Sequence, residues 1–179
     1  GSTLTIQPGV QVLFTGHYKF NVYGRLLAVG TAADTIVFTA QNTTTGWHGL
    51  RFYNTNSNAQ DSSKLVYCRL EYGKAVSAVS ADKEGGAIRL ENSSNVLINR
   101  CWFRYNYADN DGGAVIARAS SNVLIDNSLF TANKAYFYGG AFMCRASSPV
   151  IRNSVFMNDT TFVFGAGVSG WDNSIVRLE

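Results

Sequence analysis

GGAIRLENSSNVLINRCWFRYNYADND, residues 85–111, decides the fold because it comes back. The same frame returns as GGAVIARASSNVLIDNSLFTANKAYFY over 112–138 and as GGAFMCRASSPVIRNSVFMNDTTFVF over 139–164, one residue shorter. It starts again, loosely, at Gly165-Ala166-Gly167. The unit starts lie 27, 27 and 26 residues apart. A period this constant marks a solenoid in which each unit is one turn stacked on the last.

Inside each unit apolar residues alternate over short stretches: Ile88 and Leu90, Val96 and Ile98, Cys101 and Phe103. Period two is the strand signal, and no stretch sustains a helical period. Asn-Ser-Ser, Asn-Arg and Asp-Asn-Asp separate the strands as turn residues, and the chain has no Asn-Gly to build tandem tight hairpins. The pattern therefore predicts an all-β solenoid, a parallel β-helix with a triangular coil of three short strands, in about six coils. Stacked coils place equivalent residues about 4.8 Å apart. Phe103, Phe130 and Phe156 are expected to stack inside, and so are Val96, Val123 and Val150. Asn106 and Asn133, with Asp159 as the third member, follow those rings by three residues. An inward amide there can bond the coils on either side. The glycine rows suit a corner of positive φ or close backbone approach.

The earlier chain fits the same plan with looser spacing. Leu50 matches Ile88, Leu65 matches Val96, and Leu70 and Tyr72 match Cys101 and Phe103. This alignment places insertions at Tyr53 to Asp61 and at Lys74 to Glu84. It also sets Cys101 against Leu70 and Ser128, and Cys144 against Leu90 and Ala117. Cys68, Cys101 and Cys144 then read as buried fillers, not as a disulfide set or metal ligands.

The runs LTIQPGVQVLF…GRLLAVGTAADTIVFTA, GWHGLRF and SKLVYCRLEYGKA, followed by the GGAIRL–NSSNVLI–F-x-x-N units, resemble secreted bacterial right-handed parallel β-helix proteins. These are pectate-lyase-like solenoids of large surface proteins. The resemblance covers nearly the whole chain. It implies a right-handed β-helix and a secreted or cell-surface location in a bacterium. It leaves function open among lyases, hydrolases, adhesins and passive stalks.

The 179 residues suit one domain with ample core. The last turn, Gly165 to Glu179, looks cut short, as in a fragment of a longer surface protein. No stretch approaches the roughly 20 apolar residues of a membrane span. The net charge of +3 is small and the basic residues are scattered, which gives nucleic-acid binding no support.

Chemistry-bearing residues are sparse. Asp109/Asp111 and Asp82/Glu84 are the close acid pairs. They read as solvated turn acids, with Asp109 and Asp111 as a weak calcium candidate. Glu91, Arg118 and Arg145 share a row that reads as an external ion pair. His17 and His48 are the only histidines; no catalytic triad or metal spacing is readable and no cofactor is implied. Trp47-His48 reads as corner packing.

The aromatics stand out. Asp109-Asn110-Asp111 becomes Tyr136-Phe137-Tyr138 and then Phe162-Val163-Phe164 in successive units, and Trp102, Leu129 and Val155 form an outward row. Tyr136, Tyr138, Phe162, Phe164 and Trp102 are the candidate ligand contacts, for sugar rings or a protein partner. The alternative is that they pack on the coil wall. The expected function is a non-catalytic scaffold, adhesin or polysaccharide-binding module. A carbohydrate-active enzyme near Asp109 and Asp111 and a self-assembling end-to-end unit are the alternatives. Exposed coil ends or the aromatic patch are the candidate homo-oligomer contacts.

Overall fold

The computed structural model describes residues 1–55, 62–120 and 122–179. Every paired strand runs parallel to its neighbour one coil away, as the unit pairings show. Counted over the described residues, the first wall holds seven strands, Thr3–Ile6, Arg25–Val29, Ser63–Val66, Val96–Asn99, Leu124–Asp126, Val150–Arg152 and Arg177–Leu178. The second holds six, from Gln11–Phe14 through Trp102–Arg104 to Val155–Met157. The third holds six, from Phe20–Val22 through Ile88–Glu91 to Val168–Trp171. The chain visits the walls in that order each turn, giving six coils and the start of a seventh.

A fourth wall, absent from the sequence reading, is made of two-residue strands: Lys74–Ala75, Tyr107–Ala108, Lys134–Ala135 and Thr160–Thr161. Two residues are too few to show alternation. Their inward alanines, Ala75, Ala108 and Ala135, are fully buried.

The interior is a set of columns. Phe103 stacks on Phe130 at 4.7 Å between ring centres and 6°, and Phe130 on Phe156 at 4.8 Å and 12°. Parallel rings at the strand spacing are what in-register stacking imposes on identical side chains. Leu70 continues the column one coil earlier. On the first wall the buried column is Leu65, Ile98, Ile125 and Ile151.

Three readings from the sequence need correction. Val150 pairs with Leu124, not Val123, because the missing residue of the third unit falls before Pro149. Leu65 pairs with Ile98 and Leu70 with Phe103, each two residues from the expected match. A slip of two keeps every inward residue inward, so alternation cannot detect it. Cys68 and Cys101 therefore occupy one column on adjacent rungs. Their thiols are buried and free, and each donates to carbonyls, Cys68 to Ala28 and Cys101 to Leu65, both at 3.3 Å. The second insertion also moves: Lys74–Ala75 is a strand, and the projecting part is 76–84, with a single 3-10 turn at Ser80–Asp82. Of the first insertion, residues 56–61 lie outside the described residues.

Corners carry the polar ladders. Asn106 Nδ2 donates to the Leu70 carbonyl at 3.0 Å and to Asn133 Oδ1 at 2.9 Å, while Asn106 Oδ1 accepts the Gly73 amide at 2.8 Å. Asn133 repeats this, donating to the Phe103 carbonyl and to Asp159 Oδ1. Two serine ladders run beside it. Ser93, Ser120 and Ser147 each donate to the carbonyl two residues back, and Ser120, Ser147 and Ser174 each accept the amide of the serine one coil earlier. Ser128 and Ser154 do likewise, with Cys101 as the amide donor before them. The sequence reading took these serines as turn residues only. The Gly85, Gly112, Gly139 and Gly165 row turns at φ of 62–68°, and a Cβ on the next glycine, Gly86 or Gly113, would meet the carbonyl of the coil above.

Asn133→Ala removes four side-chain bonds from a fully buried position, so it is expected to lower stability by roughly 1–3 kcal/mol, read as a drop in the urea midpoint at unchanged slope. Thiol titration of the unfolded protein without reductant is expected to find all three cysteines free.

Candidate functional site

The loop joining the short fourth wall to the third wall changes character along the axis. Tyr136 donates its amide to Ala108 and Phe162 to Tyr136, and Tyr138 bridges to Phe164, so the three versions of this corner lie in register. The aromatic versions are solvent-facing. Tyr136 is 46% exposed, Phe162 63% and Phe164 69%, with Tyr138 half-buried between them. Tyr136 touches Phe162 at 5.2 Å, and Tyr138 lies over Phe164 at 6.3 Å and 17°. Lys134 Nζ sits 4.2 Å over the Phe162 ring.

Trp171, on the third wall, was not singled out from the sequence. It meets Tyr138 edge-on at 5.3 Å. Together with Met143, Phe164, Ser169 and Gly170 these two rings line a cleft of about 280 Å³. Trp171 stands in the row of Glu91, Arg118 and Arg145, and that register was its only signal. Trp102 belongs elsewhere. It is half-buried on the second wall, donates Nε1 to Thr131 Oγ1 at 3.1 Å and carries the Arg104 guanidinium 4.4 Å over its ring. Among the described residues no ring contact links it to the corner.

The corner residue before each glycine pair faces the third-wall row one coil on. Glu84 meets Arg118 at 2.7 Å, Asp111 meets Arg145 at 3.8 Å, and Tyr138 meets Trp171. One slot thus passes from ion pair to aromatic pair. The guanidinium of Arg145 lies 5.1 Å over Trp171 and reaches Asp172 at 3.3 Å, tying the charged part to the aromatic part.

The reading of both acid pairs as solvated is corrected for two of the four. Glu84 and Asp111 are each 2% exposed, because the corner folds over the outer face of the third wall and delivers them to the arginine row. Asp111 Oδ1 also accepts the Tyr138 amide at 3.2 Å. Asp82 is held by Lys19 at 2.7 Å. Among the described residues no three His, Cys, Asp or Glu side chains gather as a metal-binding set. Trp47 is fully buried, stacked on Phe14 at 4.3 Å with its indole N–H on the Glu71 carbonyl.

Asp111 and His48 are among the buried groups whose titration is shifted. Burial, reinforced by the Glu84 carboxylate, pushes Asp111 up to about 6, against the pull of Arg145. Burial, with Arg51 beside it, lowers His48 to about 4.

A family described as "right handed beta helix region" matches residues 32–178. No curated protein and no solved structure matches the chain. No helix is long and apolar enough to cross a membrane among the described residues.

The two titrations act on stability with opposite sign. Folded Asp111 holds its proton more tightly than unfolded Asp111, so stability falls as pH rises from about 4 to about 6. Folded His48 resists protonation, so stability falls as pH drops from about 6.5 to about 4. The wild type is expected to vary little over this window. Asp111→Asn should uncover the histidine term, losing on the order of 2–3 kcal/mol between pH 6.5 and 4. Denaturant melts at several pH values check it.

Proposed function

Since the chain belongs to the right-handed β-helix family, whose parallel walls serve as a backbone scaffold, we propose that it is a non-catalytic module binding a carbohydrate chain on its aromatic corner. The observation that carries this is the replacement of Asp109-Asn110-Asp111 by exposed rings at Tyr136, Phe162 and Phe164, joined into one run through Phe137 and Tyr138. Exposed aromatic faces offer flat apolar area while their edges stay wet, the surface a pyranose ring stacks on. The cleft beside Trp171 lies just under the usual volume of a small-ligand site. In this reading the protein works at a bacterial surface or after secretion.

The carboxylates near the corner support binding over catalysis. Asp111 is buried against Arg145, whereas burial and the nearby Asp109 carboxylate raise the Tyr107 hydroxyl, so the two acids have different surroundings. Hydrolysis or elimination needs acid and base groups converging on one substrate bond.

Tyr136→Ala combined with Phe162→Ala is expected to weaken retention on immobilised polysaccharide by at least about tenfold while leaving the melting temperature within a few degrees of wild type. A large fall in melting temperature, with binding lost only as the protein unfolds, would instead make these rings a structural cover. Product assays on polysaccharides that bind should show no chain cleavage.

A further inference from the structure

Away from the aromatic corner, on the outer face of the third wall, Arg51 is fully buried and only partly satisfied. Its Nη1 donates to the Gly85 carbonyl. Its Nε and Nη2 have no hydrogen-bond partner among the described residues. These two nitrogens form one edge of the guanidinium, the fork that takes two oxygens of a carboxylate or phosphate side by side. The nearby acids are spoken for: Asp82 by Lys19, Glu84 by Arg118 and Glu91 by Arg89. An arginine fork left empty inside a protein is expensive, and burial lowers Arg51 to about 9.

Segment 76–84 runs past this arginine: it leads into Gly85, whose carbonyl takes Nη1, and its Asp82 carbonyl bonds His48 on the same turn as Arg51. Val76 and Val79 are 42% and 59% exposed, so these two apolar side chains give the segment little grip on the body. Its holds near Arg51 are polar. Lys19 Nζ pairs with Asp82 Oδ2, and His48 Nε2 bonds the Asp82 carbonyl at 2.9 Å. His17 packs against His48 at 4.7 Å with the rings tilted by 55°, and bonds the Lys74 carbonyl at 2.7 Å. Stretches with few buried apolar contacts open most readily, and here that is the part before Glu84, which stays tied to Arg118. Lifting Asp82 would remove a carboxylate from a face that carries Lys19, Arg51 and Arg89.

We infer that the Arg51 fork and Lys19 form a binding site for a small oxyanion, which displaces the Asp82 carboxylate and enters beneath segment 76–84. Asp82 is the resident competitor. It occupies Lys19, while the fork behind it waits for a ligand with two oxygens on one centre. A lysine in place of Arg51 keeps the charge and loses the fork.

The probe is inorganic phosphate, titrated by calorimetry at neutral pH against sodium chloride of matched ionic strength. The wild type should bind one phosphate weakly and saturably. Asp82→Asn should bind about tenfold tighter, since a like-charged competitor has gone. Arg51→Lys should bind none. Absence of phosphate binding in both the wild type and Asp82→Asn would overturn the inference, as would Arg51→Lys binding as well as wild type. If Arg51→Lys does not fold, arginine Nε–H resonances of the Asp82→Asn protein decide. A protected resonance that shifts saturably with phosphate supports the site, and a protected resonance that stays fixed overturns it.

Discussion

Everything in this molecule depends on the demand that each residue sit directly over its counterpart one coil away. Strands meet that demand through parallel backbone pairing. Corners cannot, because there the chain turns and its amides and carbonyls point away from the ladder. An unpaired buried backbone group costs about as much as a lost hydrogen bond. The chain answers with side chains that imitate a strand. Asn106 and Asn133 each bond both neighbouring coils, and the serines accept the amide of the coil before them while donating to their own. Identical residues recur at one spacing because only identical geometry can pass the bond along.

That is also why the fold was legible before any coordinates. Phe103, Phe130 and Phe156 share one slot, and a slot repeated at fixed spacing announces itself. The legibility failed where the physics is degenerate. A two-residue slip leaves the inward pattern intact, so the match of Leu65 to Val96 was as good by alternation as its true partner Ile98. The stacking of Cys68 on Cys101 was lost with it. Alternation also needs more than two residues, which hid the fourth wall. The serine ladders were visible as a period but looked like ordinary turn chemistry.

The site was legible in part. The shift from Asp109-Asn110-Asp111 to aromatic corners is a sequence fact, and the exposure of Tyr136, Phe162 and Phe164 accompanies it. The burial of Glu84 and Asp111 was not legible, because it comes from the corner folding onto the third wall and meeting Arg118 and Arg145 from the next coil. Trp171 joins the aromatic group through the same contact. One geometric slot therefore holds Glu–Arg, Asp–Arg and Tyr–Trp pairs in turn. The scaffold fixes where the pair stands, and the residue types alone decide whether the outer surface is charged or apolar. Arg51 is the exception to this economy, a buried cation with two of its three guanidinium nitrogens unpartnered among the described residues.

Native-state hydrogen exchange tests the corner ladders most directly. The backbone amides of Asn106 and Asn133 bond side-chain oxygens of the next coil, not a strand carbonyl. If those ladders clamp the coils, both amides should exchange only with global unfolding, at the same free energy as the amides of Phe103 and Phe130. Exchange of Asn106 and Asn133 at the rate of the exposed segment 76–80 would contradict the clamp and leave the corners held by the walls alone.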